Sequence, residues 1–137
     1  MFDVIVLAVD GSECSERAVP VAADLAAACG SEVVVVHLAE TIAAWALAVE
    51  SETPEEATKV AEDAVRALKD RGQSARAEVR STVRGAVARG IVEIAGEEGA
   101  GLIVMGSRGL GDVSGLLLGS VAHKVLHLAH VPVLIVR

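Results

Sequence analysis

Residues 102–120 read LIVMGSRGLGDVSGLLLGS, and this stretch decides the fold class. It opens with the apolar run Leu102–Met105, passes through a glycine-rich loop and enters a predicted helix at Ser120. Glycine lets a backbone approach a ligand closely, and successive N–H groups of such a loop attract anions. The free N–H groups of a helix N-terminus add to that attraction. The stretch therefore predicts a polyphosphate site at the carboxyl end of a buried strand.

The rest of the chain alternates strand-like and helical patterns in the same way. Four more apolar, β-branched runs predict strands at Val4–Val9, Val33–Leu38, Ala75–Val83 and Val133–Val136. Helical spacing of apolar residues predicts helices up to Cys29, from Thr53 to Gly72, over 85–97 and over 120–128. Near-continuous apolar strands separated by helices predict one doubly wound parallel sheet with helices on both faces. Only 75–83 alternates in polarity, which places it at a sheet edge, and 39–52 is left unassigned.

Length and composition bound the function. The chain has 137 residues, which predicts a single domain over 1–137, and 53% hydrophobic residues exclude a disordered chain. A net charge of −7 with one Trp, one Phe and no Tyr argues against a nucleic-acid partner. No apolar stretch approaches the roughly 20 residues of a membrane helix, and the start does not resemble a signal peptide. Cys14 and Cys29 lie too far apart on one helix to pair, so we expect free thiols and a cytoplasmic location.

At the glycine loop the sequence resembles the ATP-binding branch of the universal stress protein family. The family signature is Gly, two residues, Gly, nine residues, Gly and then Ser or Thr, and here it is Gly106, Gly109, Gly119 and Ser120. The resemblance extends to the first, second and last strands, at residues 10–13, 35–38 and 131–136. It covers essentially the whole chain except residues 39–52.

The resemblance implies a five-stranded parallel sheet of order 3-2-1-4-5, with ATP lying across its carboxyl edge. Asp10 would contact ribose or a nucleotide-bound Mg²⁺, and no metal would be held by the protein alone. The adenine would be walled by four apolar residues, Ala8, Val9, Leu38 and Met105. The phosphates and ribose would be held by six residues, Gly106, Arg108, Gly109, Gly119, Ser120 and Val121. Ala122 stands where some relatives carry a hydroxyl, so we expect phosphate affinity to be lower by about 1 kcal/mol.

Each of these residues also has a plainer interpretation. The glycine loop could be an ordinary surface loop, Asp10 could cap the first helix, and Arg108 could be a solvated charge. His123, His127 and His130 share one helix face at metal-ligand spacing, yet that face points away from the predicted core. We therefore expect no metal there.

The function predicted from the sequence is a nucleotide-dependent regulatory module of the stress response. No Gly-Lys pair is present, which excludes a P-loop, and the first strand is not followed by a dinucleotide-binding loop. The alternative is a slow ATP-hydrolysing enzyme of the same fold; we favour little or no hydrolysis because no general base is evident. The apolar last strand, residues 131–136, should lie at an open sheet edge, which predicts a homodimer.

Overall fold

The computed structural model describes residues 1–44, 47–50, 52–110, 112, 115 and 117–137. The elements follow in the order β1 (Val4–Ala8), α1 (Glu13–Cys29), β2 (Glu32–Ala44), β3 (Leu47–Glu50), α2 (Pro54–Asp70), β4 (Ala75–Val83), α3 (Val87–Glu97), β5 (Leu102–Gly106), α4 (Ser120–Leu128) and β6 (Val133–Val136).

The predicted parallel sheet is confirmed. Five strands pair in parallel in the order β4-β2-β1-β5-β6, which is the order 3-2-1-4-5 of the five strands predicted from the sequence. β1 is central, with Ala8 opposite Val36 of β2 on one side and Met105 of β5 on the other. The strand order reverses between β1 and β5, and in such sheets ligands bind at this point.

The unassigned segment adds a sixth, antiparallel strand to this sheet. β2 runs on to Ala44, well past the predicted end at Leu38, and β3 pairs back onto it. Thr41 is paired with both Val83 of β4 and Glu50 of β3, so these two strands flank β2 on opposite sides. β3 therefore lies on the same side of β2 as β1, beyond the carboxyl end of β1. Residues 45, 46 and 51 of this segment lie outside the described residues.

The core has two halves, one on each face of the sheet. Side chains alternate between faces along a strand, so Ile5 and Leu7 pack with α1 and α2, while Val6 and Ala8 pack with α3 and α4. The same alternation holds in β2, where Val33 and Val35 face one half and Val34 and Val36 the other. This explains why the central strands are apolar at every position.

The helix ends follow the chemistry of their flanking residues. Thr53 and Glu56 form a reciprocal capping box at the start of α2, and Gly30 ends α1 in a left-handed conformation with φ of 69°. The N-cap of α1 is Ser12, whose hydroxyl accepts from the Ser15 N–H, so Asp10 does not cap this helix directly. No described helix is both long enough and apolar enough to span a membrane.

Candidate functional site

A cavity of about 550 Å³ opens at the carboxyl end of β1, where the strand order reverses. Its size is within the range of small-molecule sites. All eleven residues named from the sequence line it: Ala8, Val9, Asp10, Leu38, Met105, Gly106, Arg108, Gly109, Gly119, Ser120 and Val121. The topology therefore gathers these residues, which are widely separated in the chain, around one opening.

One side of the cavity is apolar. Four residues form this wall and are each more than nine-tenths buried: Ala8 and Val9 at the end of β1, Met105 near the end of β5, and Leu38 in the middle of β2. Val87 and Ile91 of α3 continue this surface. Such a wall suits a flat apolar group, but offers no charge to a phosphate.

The other side is built by the backbone of the glycine loop. The Gly119 N–H donates to the Ser107 carbonyl at 2.6 Å, so the two ends of the loop are joined across the entrance to α4. Gly119 is the N-cap of α4 and has no side chain with which to cap it. The first-turn N–H groups of α4 therefore keep their capacity for another acceptor, and helix N-termini favour anions. Ser120 is the first helical residue and is exposed.

Asp10 ties the first strand to the glycine loop. Its Oδ1 accepts the Ser12 N–H and its Oδ2 accepts the Leu110 N–H, both at 2.9 Å. A Cβ on Gly109 would overlap the Asp10 Oδ2, so glycine lets the loop lie this close without displacing the Asp10 carboxylate.

A second carboxylate enters the loop from within. The Gly109 N–H donates to the Asp112 Oδ2 at 2.5 Å, and a Cβ on Gly119 would overlap the same oxygen. Asp112 therefore lies between two of the glycines of the signature. Sequence analysis did not include Asp112 in the site.

His37 connects the cavity to the hairpin formed by β2 and β3. Its Nδ1 lies 2.8 Å from the Val9 carbonyl and its Nε2 lies 2.6 Å from the Glu52 Oε1. Because a carbonyl only accepts, Nδ1 is the donor to Val9, and Nε2 faces the Glu52 carboxylate. This bridge fastens the chain after β3 to the end of β1.

The cavity includes several polar residues that sequence reasoning missed. Glu40, Glu52, Arg84 and Asp112 line it in addition to Asp10 and Arg108. Arg84 follows the carboxyl end of β4, so the rule that places ligands at strand ends could have found it. Glu40 and Glu52 belong to the segment without a recognisable pattern, and no sequence signal indicated them.

Cys14 lies behind the loop, on the first turn of α1. Burial alone would raise the pKa of its thiol, but hydrogen bonds from Ser107 and Arg17 outweigh burial and hold the pKa below its ordinary value. The Arg17 Nη2 is 3.1 Å from the sulfur. A Cβ on Gly106 would come within 2.7 Å of the Cys14 backbone, so Gly106 lets α1 pack closely against β5. Cys14 and Cys29 are both free thiols.

The histidines of α4 are exposed, as the helical spacing indicated. The rings of His123 and His127 meet edge to face, with centroids 4.6 Å apart. Within the described part of the chain, no three His, Cys, Asp or Glu side chains come together in a way that could hold a metal.

A family model described as the universal stress protein family matches residues 1–137. The chain belongs to this family. A universal stress protein of Thermus aquaticus, named for its place in the QAH/OAS sulfhydrylase 3′ region, is 36% identical over 147 residues, with 100% of each chain covered. Both the family model and the Thermus aquaticus relative match this universal stress protein over its full 137 residues.

Solved structures share the fold. The hypothetical protein MJ0577 superimposes with a TM-score of 0.82 at 25% identity, covering 99% of this chain and 96% of its own. A universal stress protein in complex with cAMP gives a TM-score of 0.71 at 31% identity, covering 99% and 97%. A universal stress protein from Archaeoglobus fulgidus in complex with dAMP gives 0.70 at 27%, covering 100% and 98%. Two structural neighbours of this universal stress protein thus bind adenine nucleotides.

Proposed function

We propose that this universal stress protein binds ATP in the cavity at the carboxyl end of β1 and acts as a nucleotide-dependent regulatory module. The observation that carries the proposal is the cradle formed by Gly109, Gly119 and the N-terminus of α4 beside an apolar wall. An adenine ring fits the wall formed by Ala8, Val9, Leu38 and Met105. Phosphates fit the cradle, where backbone N–H groups and Arg108 supply the positive potential.

The neighbours in complex with cAMP and dAMP support adenine as the base. The choice of a triphosphate rests on the spacing of Gly106, Gly109, Gly119 and Ser120, which resembles the signature of the ATP-binding branch of the family. Asp10 is the residue we assign to the ribose or to nucleotide-bound Mg²⁺. Its two oxygens accept one N–H each, which leaves lone pairs for a further hydroxyl or cation.

Slow ATP hydrolysis is the alternative, and we propose that it is negligible. A general base needs a free lone pair directed at the attacking water. The free lone pairs of Asp10 are assigned to the ribose or to nucleotide-bound Mg²⁺, while Asp112 accepts the Gly109 N–H and Glu52 contacts His37. These contacts favour binding without turnover.

Two further features belong to the proposal. We infer a cytoplasmic location from the two free thiols and the acidic composition. We also infer a homodimer through residues 131–136, because β6 pairs only with β5 among the described strands and leaves one edge open.

The deciding experiment is calorimetric titration of the purified protein with ATP in excess Mg²⁺. We expect saturable binding of one nucleotide per chain, with adenosine binding more weakly because it lacks the phosphates. Absence of heat with both ligands, together with no nucleotide retained through purification, would refute the proposal.

A further inference from the structure

In this structure the Gly109 N–H of the cradle already has a hydrogen-bond acceptor, which is the Asp112 carboxylate of the same loop. The Asp112 Oδ2 takes the Gly109 N–H at 2.5 Å and lies where a Cβ on Gly119 would be. In the proposed function, phosphate takes this same position between two signature glycines.

We propose that Asp112 is a resident anion of the phosphate cradle, which a nucleotide polyphosphate must displace in order to bind. This inference rests on the proposed function, and it makes Asp112 a residue that sets both affinity and selectivity for charged ligands. Two anions cannot share one N–H donor at hydrogen-bonding distance without strong repulsion.

Asp112 is less firmly held than the other carboxylate at the loop. It is the only acidic residue of the sequence between Arg108 and Ser120, and it is half-buried against the loop. Asp10 engages a different N–H, that of Leu110, and is fixed in addition by Ser12. Among the described residues, the Asp112 carboxylate accepts one N–H, that of Gly109, so it is the carboxylate that can leave.

Displacement has a consequence that differs between ligands. A nucleotide polyphosphate must break the charge-assisted hydrogen bond of Asp112 and then remain near its carboxylate. Adenosine fills only the apolar wall and leaves Asp112 in place. Asp112 therefore weakens polyphosphate binding and does not change nucleoside binding.

The test compares wild type with Asp112→Asn by calorimetry, using ATP and adenosine in excess Mg²⁺. Asn has nearly the same shape but no charge, and its amide can donate to phosphate. We expect ATP to bind Asp112→Asn at least about tenfold more tightly, which corresponds to about 1.4 kcal/mol, with adenosine unchanged within about twofold. Asp70→Asn, on the exposed last turn of α2, removes the same charge far from the cradle and should change neither affinity.

The outcomes separate the inference from the function on which it rests. Unchanged or weaker ATP binding by Asp112→Asn would overturn the inference while leaving nucleotide binding intact; weaker binding would make Asp112 a holder of the ligand or its cation. An equal gain for adenosine would also overturn it, since the effect would not depend on phosphate. Wild type and variant that both fail to bind ATP and adenosine would refute the proposed function itself.

Discussion

Asp10 and Leu110 are 100 positions apart in the chain, yet the Asp10 carboxylate accepts the Leu110 N–H at 2.9 Å. This contact joins the end of β1 to the glycine loop after β5, the two segments between which the strand order reverses. The loop can come this close because Gly109 places no Cβ against the carboxylate.

The first prediction concerns the glycines of the cradle. A Cβ introduced by Gly109→Ala or Gly119→Ala overlaps the Asp10 or the Asp112 carboxylate, respectively. Both carboxylates can rotate away, so the fold should survive, but the cradle is then filled. We expect the double variant to lose at least about 100-fold in ATP affinity by calorimetry.

Gly96→Ala is the matched control for these variants. Gly96 lies exposed in α3, and a Cβ there meets no atom within 4 Å. Alanine should stabilise the helix by up to about 1 kcal/mol and leave ATP affinity unchanged. Equal affinity of the double variant and wild type would place the nucleotide outside the cradle.

The second prediction concerns turnover. Asp10 is assigned to the ribose or to nucleotide-bound Mg²⁺, Asp112 accepts the Gly109 N–H, and Glu52 contacts His37, so we assign none of these three carboxylates to the activation of water. We expect steady-state phosphate release well below about 1 per second, the lower end of ordinary enzyme rates. The Gly109→Ala protein, purified in the same way, measures any contaminating activity. Release of several phosphates per second that is lost in Gly109→Ala would establish an enzyme.

The third prediction concerns the open edge at β6. The carbonyls of Pro132 and Val136 accept from Ile103 and Ser107 at 3.0 and 2.7 Å, so every second residue of β6 faces β5. Leu134 shares that orientation, and the backbone N–H of Ile135 points to the open side. Ile135→Pro should therefore convert a dimer into a folded monomer near 14.0 kDa by light scattering.

Leu134→Pro provides the contrast at this edge. It removes a hydrogen bond to β5 inside the sheet, so it should lower the free energy of unfolding as well as disrupt any dimer. A wild-type mass of one chain at micromolar concentration would contradict the dimer outright.

The fourth prediction concerns the pH dependence of an ion pair on the exposed face of β4. The Arg80 guanidinium reaches Glu97 of α3, at 2.6 Å, and holds the pKa of that carboxyl below its ordinary value of 4.5. A pKa lowered by folding stabilises the protein above the unfolded pKa, and this stabilisation is lost as the pH falls through the folded pKa.

Arg80→Gln should therefore raise the pKa of Glu97 and reduce stability at neutral pH, with the difference vanishing in acid. NMR titration of the Glu97 carboxyl carbon measures the shift directly. Lys59→Gln is the control, because Lys59 lowers the pKa of Asp63 on α2 and should leave that of Glu97 unchanged. An identical Glu97 titration in wild type and Arg80→Gln would contradict the prediction.

The strands and the loop that could be predicted from the sequence are those in which a residue type has one physical explanation. Central strands buried on both faces require apolar residues at each position, so β1 and β5 could be predicted within a residue. The carboxyl ends of these strands then located the cavity. Glycine spacing placed the loop, because close backbone approach tolerates no other residue.

The misses have physical reasons too. The extension of β2 and the pairing of β3 depend on contacts between strands, which short alternating or mixed runs do not encode. The sequence around Asp112 does not indicate a role in the site, because an acidic residue in a glycine-rich loop is normally predicted to face solvent. Its contact with Gly109 forms only when the loop folds back on itself. The position of Asp10 just before α1 is also compatible with a helix cap. In the structure Ser12 is the N-cap, and the Asp10 carboxylate accepts the Leu110 N–H instead.

The segment that contains the hairpin of β2 and β3 supplies one wall of the cavity independently of the glycine loop. The phosphate side comes from the stretch after β5, whereas Glu40 and Glu52 come from residues 39–52. His37 ties Glu52 to the end of β1, because its two ring nitrogens lie against Glu52 and the Val9 carbonyl. Loss of the His37–Glu52 contact would therefore release one wall of the cavity and leave the hydrogen bonds of the glycine loop in place.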